Sequence, residues 1–366
     1  MASSTSSSSS SSFARFDIVS SAVYSTDSVS DHHYATKPHY PSSIAKISKT
    51  ITKEWKHCEE NLPDSILVRV YEHRIDLMRA AIVGAKGTPY ADFLFFFDVA
   101  IPWDYPSSPP KVNYRSAGFR VNPNLYENGK VCLSLLGTWF GRNVEKWNAK
   151  RSNILQVLLS IQALVLNQRP FFNEPGYYFF SRQRWEEESL AYNENAFLLC
   201  CRTTLALLRT PPKDFEPLVN AHFHEHGTTI LKTCVKQFNK PSIPRTRTAT
   251  PNSTEKFKKS LVIVYPKLRS AFAGTGASLR DLPLHLGPTP GKETGQHATA
   301  AVAVKPATKP IQKPVTTKVV TGKVQEKPTQ KPGTAKGVFG KVKEIFLGFV
   351  KGKSAGNDVV KIPGAG

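Results

Sequence analysis

Asn122-Pro123-Asn124-Leu125-Tyr126-Glu127-Asn128-Gly129-Lys130-Val131-Cys132-Leu133 sits inside an irregular stretch, residues 115–151, that is rich in Gly, Pro and Asn and has little periodicity. A segment this long without regular patterning, inside a compact domain, is usually functional. A cysteine between Val131 and Leu133 has two readings: a small buried residue, or a thiol placed for chemistry. The residues on either side decide between them.

Upstream, the pattern alternates at the strand period. Ile66–Tyr71, Leu77–Val83 and Phe93–Val99 are β-prone runs separated by turn-formers, among them Gly84–Pro89, and Lys111–Tyr114 follows Pro109-Pro110. Connections this short fit an antiparallel meander of four strands, since parallel neighbours need crossovers of a dozen residues or more. Before the meander, Ile44, Ile47, Ile51 and Trp55 recur at helical spacing, and that helix should end ahead of Leu62-Pro63.

Downstream, an apolar helical stripe runs through Ile154, Leu155, Leu158, Leu159 and Ile161 to Asn167. Two further helices are expected near 186–209 and 213–237, divided by Pro211-Pro212. Helix, four strands, irregular centre, then helices makes the fold class α+β, with the helices segregated from an antiparallel sheet.

All five tryptophans and all five cysteines precede residue 240. The expected organisation is a Ser-rich segment without structure (1–39), a folded core with a helical extension (40–239), and a basic Pro/Lys-rich tail (240–366). From Lys240 onward there are 23 Lys+Arg against 6 Asp+Glu, so the tail holds +17 of the chain's +21. Such a segment is either a solvated extended chain or a tether to nucleic acid, acidic partners or anionic lipid. Within it, Val338, Phe339, Val342, Ile345, Phe346, Phe349 and Val350 form one stripe among lysines, an expected amphipathic helix over 337–351. Five irregularly spaced cysteines make a poor disulfide framework. With no secretory pattern at the start and no apolar run of membrane-spanning length, the expected setting is intracellular, cytoplasmic or nuclear.

The order of elements and the local motifs together resemble the ubiquitin-conjugating (UBC-fold) family. Tyr105-Pro-Ser-Ser-Pro-Pro-Lys-Val112 is similar to that family's strand-entry signature, Asn122-Pro123-Asn124 stands in the place of its His-Pro-Asn motif, and Cys132 follows Asn124 by eight residues, where the family carries its catalytic cysteine. The likeness is closer to the large conjugating and hybrid conjugase/ligase subgroup, which includes the plant conjugating enzyme of phosphate homeostasis. That subgroup carries Asn at the position of Asn122. Arg69-Val-Tyr-Glu72, Gly87-Thr-Pro-Tyr90 and Pro211-Pro-Lys-Asp-Phe215 belong to the same resemblance.

The resemblance implies that Cys132 takes ubiquitin as a thioester from an activating enzyme and passes it to a substrate lysine, with or without a separate ligase, and that no cofactor or metal is needed. An ordinary thiol with a pKa of about 8.5 is a few per cent thiolate at neutral pH. That suffices when the donor is itself an activated thioester. Attack on the thioester develops charge on oxygen, which an amide N–H stabilises. The resemblance gives that role to Asn124, and bracing the loop is its alternative. Glu174, in Phe171-Phe-Asn-Glu-Pro175, is the expected carboxylate that guides or deprotonates the incoming lysine, or else a plain surface charge; Asn173 is the second choice. Asn122 and Pro123 are expected to fix the loop. The helix around Ile44–Trp55 is the expected face for the activating enzyme and ligases.

Cys200-Cys201 and Cys58 read as packing residues. His222, His224 and His226 invite a metal reading that their spacing opposes, since only His222 and His226 share a helix face. Two other functions remain open at this point: a non-catalytic UBC-fold adaptor tethered by its tail, and an enzyme for a ubiquitin-like modifier. The transferase reading requires a thiol that a donor can reach and that lies close to Asn124.

Overall fold

The computed structural model describes residues 13–20, 31–36, 41–139, 141, 143–174, 185–241 and 253–287. The chain divides into two units, Met1–Thr289 and Pro290–Gly366, and every described residue falls in the first. The stripe expected at 337–351 lies outside the described residues.

A short strand β1 (Phe16–Val19) leads to helix α1 (Pro41–Asn61), then β2 (Ile66–Tyr71), β3 (Arg74–Val83), β4 (Leu94–Ala100) and β5 (Lys111–Tyr114). The sheet order is β1-β2-β3-β4-β5. The meander from β2 to β5 is antiparallel as its short connections require, and β1 adds to its edge in parallel. After the irregular centre come α2 (Ile154–Ser160), which widens into a π-turn over Ile161–Val165, then α3 (Glu186–Arg209), α4 (Glu216–Asn239) and α5 (Ser253–Gly274). Among the described residues, no helix is long and apolar enough to cross a membrane.

The inner face of the sheet is apolar. Val68, Met78, Ala80, Phe95 and Phe97 are buried there with Ile51 and Cys58 of α1 and Ile154, Leu158 and Ile161 of the α2 region. The outer face carries a row of charges set opposite one another by the register: Arg69 faces Arg79, and Arg79 faces Asp98. Arg79 and Asp98 are wholly buried and bonded at 2.6 Å. Removing two ions from water costs several kcal/mol each, so further partners are needed. Residues 31–36 supply them. The Asp31 carboxylate accepts from Arg79 at 2.8 Å, the His33 N–H donates to Asp98 at 2.9 Å, and Arg115 donates to the Asp31 carbonyl at 2.6 Å. Burial would raise the Asp98 carboxyl, but Arg79, His32 and Arg115 together hold it below the usual range.

Two expectations are corrected here. The first 39 residues are not wholly without structure: Phe16–Val19 pairs with β2, Phe13 lies under the Arg69 guanidinium at 4.0 Å, and 31–36 closes over the buried ions. Both contacts join residues far apart in sequence, so no local periodicity announces them. The folded part also does not end near 239. Phe257, Leu261, Val264, Tyr265, Leu268 and Phe272 of α5 are buried against α3 and α4. Gly227 of α4 makes room for this packing, since a Cβ there would stand 2.9 Å from the Phe272 ring. An amphipathic helix of 22 residues, with Pro266 inside it, vanishes into the average composition of a long basic segment.

Candidate active site

The chain around Cys132 is a small antiparallel ribbon hung on β5. Tyr126 N–H donates to the Lys130 carbonyl at 3.0 Å, Cys132 N–H donates to the Asn124 carbonyl at 2.9 Å, and Tyr114 N–H donates to the Gly129 carbonyl at 2.8 Å. Leu125 pairs with Val131. Gly129 makes the turn possible: its φ is +88°, and a Cβ would meet the Asn113 side chain at 2.3 Å.

Side chains alternate across such a ribbon. Leu125 and Val131 enter the core, which leaves Asn124, Tyr126, Lys130 and Cys132 together on the other face. The chain after Cys132 is fixed by Thr138, whose hydroxyl donates to the Val131 carbonyl at 2.6 Å and accepts from Leu133 N–H at 3.0 Å.

The ribbon is braced from the far end of the α2 region. A helix end leaves orphan carbonyls, and that of Val165 accepts from Asn122 at 2.7 Å and from Asn173 at 3.0 Å. Asn122 is fully buried and also donates to the Tyr90 hydroxyl at 2.8 Å; its Oδ1 accepts from Asn124 N–H at 2.9 Å. Asn122 and Asn173 are thus structural. The Asn124 amide donates to the Cys132 carbonyl at 2.9 Å, a brace rather than a contact to the sulfur. An amide NH2 carries a second hydrogen, which this bond leaves unused.

The Cys132 residue is 2% exposed. Tyr126 is a polar neighbour of the thiol, and its hydroxyl favours the thiolate. The Arg120 guanidinium lies 4.2 Å from the Tyr126 ring centroid, and Lys130 Nζ lies 5.6 Å from the same centroid. Arg120 pairs with Glu174 at 3.7 Å, both side chains 42% exposed. These neighbours of the ribbon face are surface side chains, not core. Burial pushes the Cys132 thiol up; Lys130, the Tyr126 hydroxyl and Arg120 oppose that rise, and Glu174 adds to it.

The structure brings Cys132, Asn124 and Glu174 into one neighbourhood. Sequence reasoning missed Tyr126, Lys130 and Arg120. The signal for the first two was available: a Glu127-Asn128-Gly129 turn makes 126 and 130 partners, so period two puts both beside 124 and 132. Arg120 and Glu174 meet only through the tertiary fold.

The other candidates are engaged elsewhere. Cys58, Cys200, Cys201 and Cys234 are buried and free. His222 bonds the Asp92 carbonyl at 2.8 Å and stacks on His226 at 4.4 Å; His226 pairs with the Asp92 carboxylate at 3.3 Å, while His224 meets the Thr275 carbonyl at 3.0 Å.

The site is thus one thiol beside an asparagine on a braced ribbon of an α+β domain. The family model described as ubiquitin-conjugating enzyme matches residues 50–197. "Putative ubiquitin-conjugating enzyme E2 39" of Arabidopsis thaliana is 46% identical over 237 residues, covering 61% of this chain and 69% of that one. "Probable ubiquitin-conjugating enzyme E2 23" of the same plant is 48% identical over 283 residues, covering 74% of this chain and 25% of that one. The human "Dual E2 ubiquitin-conjugating enzyme/E3 ubiquitin-protein ligase BIRC6" is 39% identical, covering 56% of this chain and 4% of that one. The chain belongs to the ubiquitin-conjugating enzyme family. It spans a quarter of the length of the E2 23 relative.

Proposed function

We propose that this chain accepts ubiquitin as a thioester on Cys132 from an activating enzyme and transfers it to a lysine amine. The observation that carries this reading is the ribbon face, on which the thiol and Asn124 are adjacent, with Glu174 across from them. The thiolate attacks the carbonyl of the donor thioester, a C–S bond to Cys132 forms, the donor's own C–S bond breaks, and the activating enzyme's sulfur leaves as thiolate. The amine then attacks the carbonyl, the C–N bond forms, the C–S bond breaks, and the thiolate leaves. The unused hydrogen of Asn124 serves the developing oxyanion, and Glu174, released from Arg120, orients or deprotonates the amine. The braced amide supports both roles of Asn124 at once: positioning the loop, and donating to the oxyanion.

The names of the relatives support ubiquitin as the modifier and support a ligase among the partners; the human relative's name adds hybrid conjugase/ligase character as a form the activity takes. The face of α1 remains the proposed contact for the activating enzyme. A reducing intracellular compartment suits five free thiols. For the basic segment beyond 289 we keep the tether to an anionic membrane or acidic partner, to be tested by co-sedimentation of the full chain, and of a chain ending at 289, with anionic vesicles.

The decisive experiment loads the chain with activating enzyme, ATP and ubiquitin and reads non-reducing gels. A reductant-sensitive adduct that Cys132→Ala abolishes, and Cys132→Ser turns into a stable oxyester, supports the transferase. No adduct with ubiquitin or any ubiquitin-like modifier would leave the adaptor reading. Asn124→Ala is expected to cost about 1–3 kcal/mol of stability through the lost brace and to slow aminolysis of the loaded thioester by more than the loading step.

A further inference from the structure

Arg120 enters the transfer described above only as the cation that gives Glu174 up, yet it is far better anchored than its partner. The guanidinium donates to the Pro123 carbonyl at 3.0 Å and lies 4.2 Å from the Tyr126 ring centroid. A planar fork of donors that also lies against a ring is held in orientation as well as in place. Pro123 and Tyr126 both belong to the stretch that carries Cys132, so the charge is fixed relative to the thiol.

Glu174 is attached differently. Its carboxylate stands 3.7 Å from the guanidinium, beyond hydrogen-bond length, and among the described residues it makes no second ion pair. The adjacent pair shows the contrast: Arg169 donates to Glu186 at 2.5 Å. A half-exposed pair held by charge alone is weak. The cation is therefore fixed, and the carboxylate is free to exchange it. Both charges act on the Cys132 thiol, with Arg120 opposing its rise and Glu174 adding to it.

We propose that Arg120 is a positioning residue, a charge lock that keeps Glu174 from serving water as a base on the loaded thioester and yields it to an acceptor that carries its own positive charge. This rests on the transferase reading above and deepens it. While the guanidinium occupies it, the carboxylate is not free to take a proton from a water at the thioester carbonyl. Water brings no charge with which to displace the guanidinium. A lysine ammonium does, and it replaces Arg120 on Glu174. The ammonium's proton then passes through the carboxylate to solvent, and the neutral amine attacks the carbonyl. The C–N bond forms, the C–S bond breaks, and the sulfur leaves as thiolate.

The test uses the full chain, loaded with activating enzyme, ATP and ubiquitin, after which ATP is depleted and decay of the thioester is followed with and without free lysine. Without lysine, Arg120→Gln should hydrolyse the thioester to free ubiquitin and free thiol about tenfold faster than the unaltered chain, a small part of the roughly 10²–10⁴-fold that a positioned base supplies. With lysine, the KM of Arg120→Gln for the amine should fall about two- to fivefold, the weight of a half-exposed ion pair. Neither change should survive when Glu174→Gln is added to Arg120→Gln. Loss of a mere loop brace would instead slow both reactions. Slowing of both, no change in either, or changes that persist in the double variant overturn this inference alone. Failure of the unaltered chain to form any thioester overturns the transferase reading and this inference with it.

Discussion

Cys132 on the ribbon and Cys201 in α3 are both nearly sealed, at 2% and 0% exposed, yet their surroundings differ in every other respect. Cys201 is set among apolar side chains with Cys200 and Cys234 as its only titrating neighbours, and burial drives its thiol far up without opposition from any cation. Cys200 is raised by burial alone. At Cys132 the same burial is countered by two cations and a phenol hydroxyl. Area alone therefore does not separate an inert thiol from a working one; the distinction is what the thiolate would find on forming, and how deep its cover is.

The largest test of that contrast is all-or-none: Cys132→Ala removes the reductant-sensitive ubiquitin adduct, while Cys201→Ala retains it at undiminished stoichiometry. A second test concerns stability, by chemical denaturation. Cys201→Ser buries a hydroxyl in apolar packing and should cost about 1–3 kcal/mol, whereas Cys132→Ser places it among the polar and charged neighbours Tyr126, Lys130 and Arg120 and should cost clearly less. Equal losses would break the comparison.

Alkylation kinetics sharpen it further. Because burial sets the Cys132 thiol above an ordinary cysteine, its reaction with iodoacetamide should still be climbing with pH at pH 8–9, where an unperturbed thiol with a pKa of about 8.5 begins to level off; Cys201 should react only on unfolding. The smallest effects are those of single neighbours, and they have opposite signs. Tyr126→Phe removes a donor to the thiolate and should move the alkylation profile to higher pH. Glu174→Gln removes a negative charge and should move it to lower pH. Shifts in the same direction would mean that steric cover, not charge, governs the thiol.

Much of this site was legible before any coordinates. The strands at Ile66–Tyr71 and Lys111–Tyr114 and the end of α1 before Leu62 fall where period and punctuation put them, because each is decided by its neighbours in sequence. Cys132, Asn124 and Glu174 were reached through the resemblance of the surrounding motifs to those of a known family. What stayed hidden depends on distant partners. Phe16–Val19 becomes a strand only because the edge of β2 is open to it. Arg69, Arg79 and Asp98 sit in strand runs as if they faced solvent, and the overlying residues 31–36, Phe13 and Phe215, whose ring lies 5.5 Å from the Arg69 guanidinium, make that face an interior. Helix α5 was concealed by the composition around it rather than by its own pattern, since Phe257, Leu261, Val264, Leu268 and Phe272 recur at spacings of three and four.

The lattice of ions on the outer face of the sheet sets the minimum fragment that can stand alone. Trimming the protein to the span of its family likeness, 50–197, would cut away Asp31 with the rest of the cover and leave the Arg79 guanidinium with one carboxylate where it now has two. It would also strip Phe215 and Phe13 from above Arg69. Anyone dissecting this protein gains by cutting before Phe13 and after Gly287, and by treating the opening residues as masonry rather than packaging.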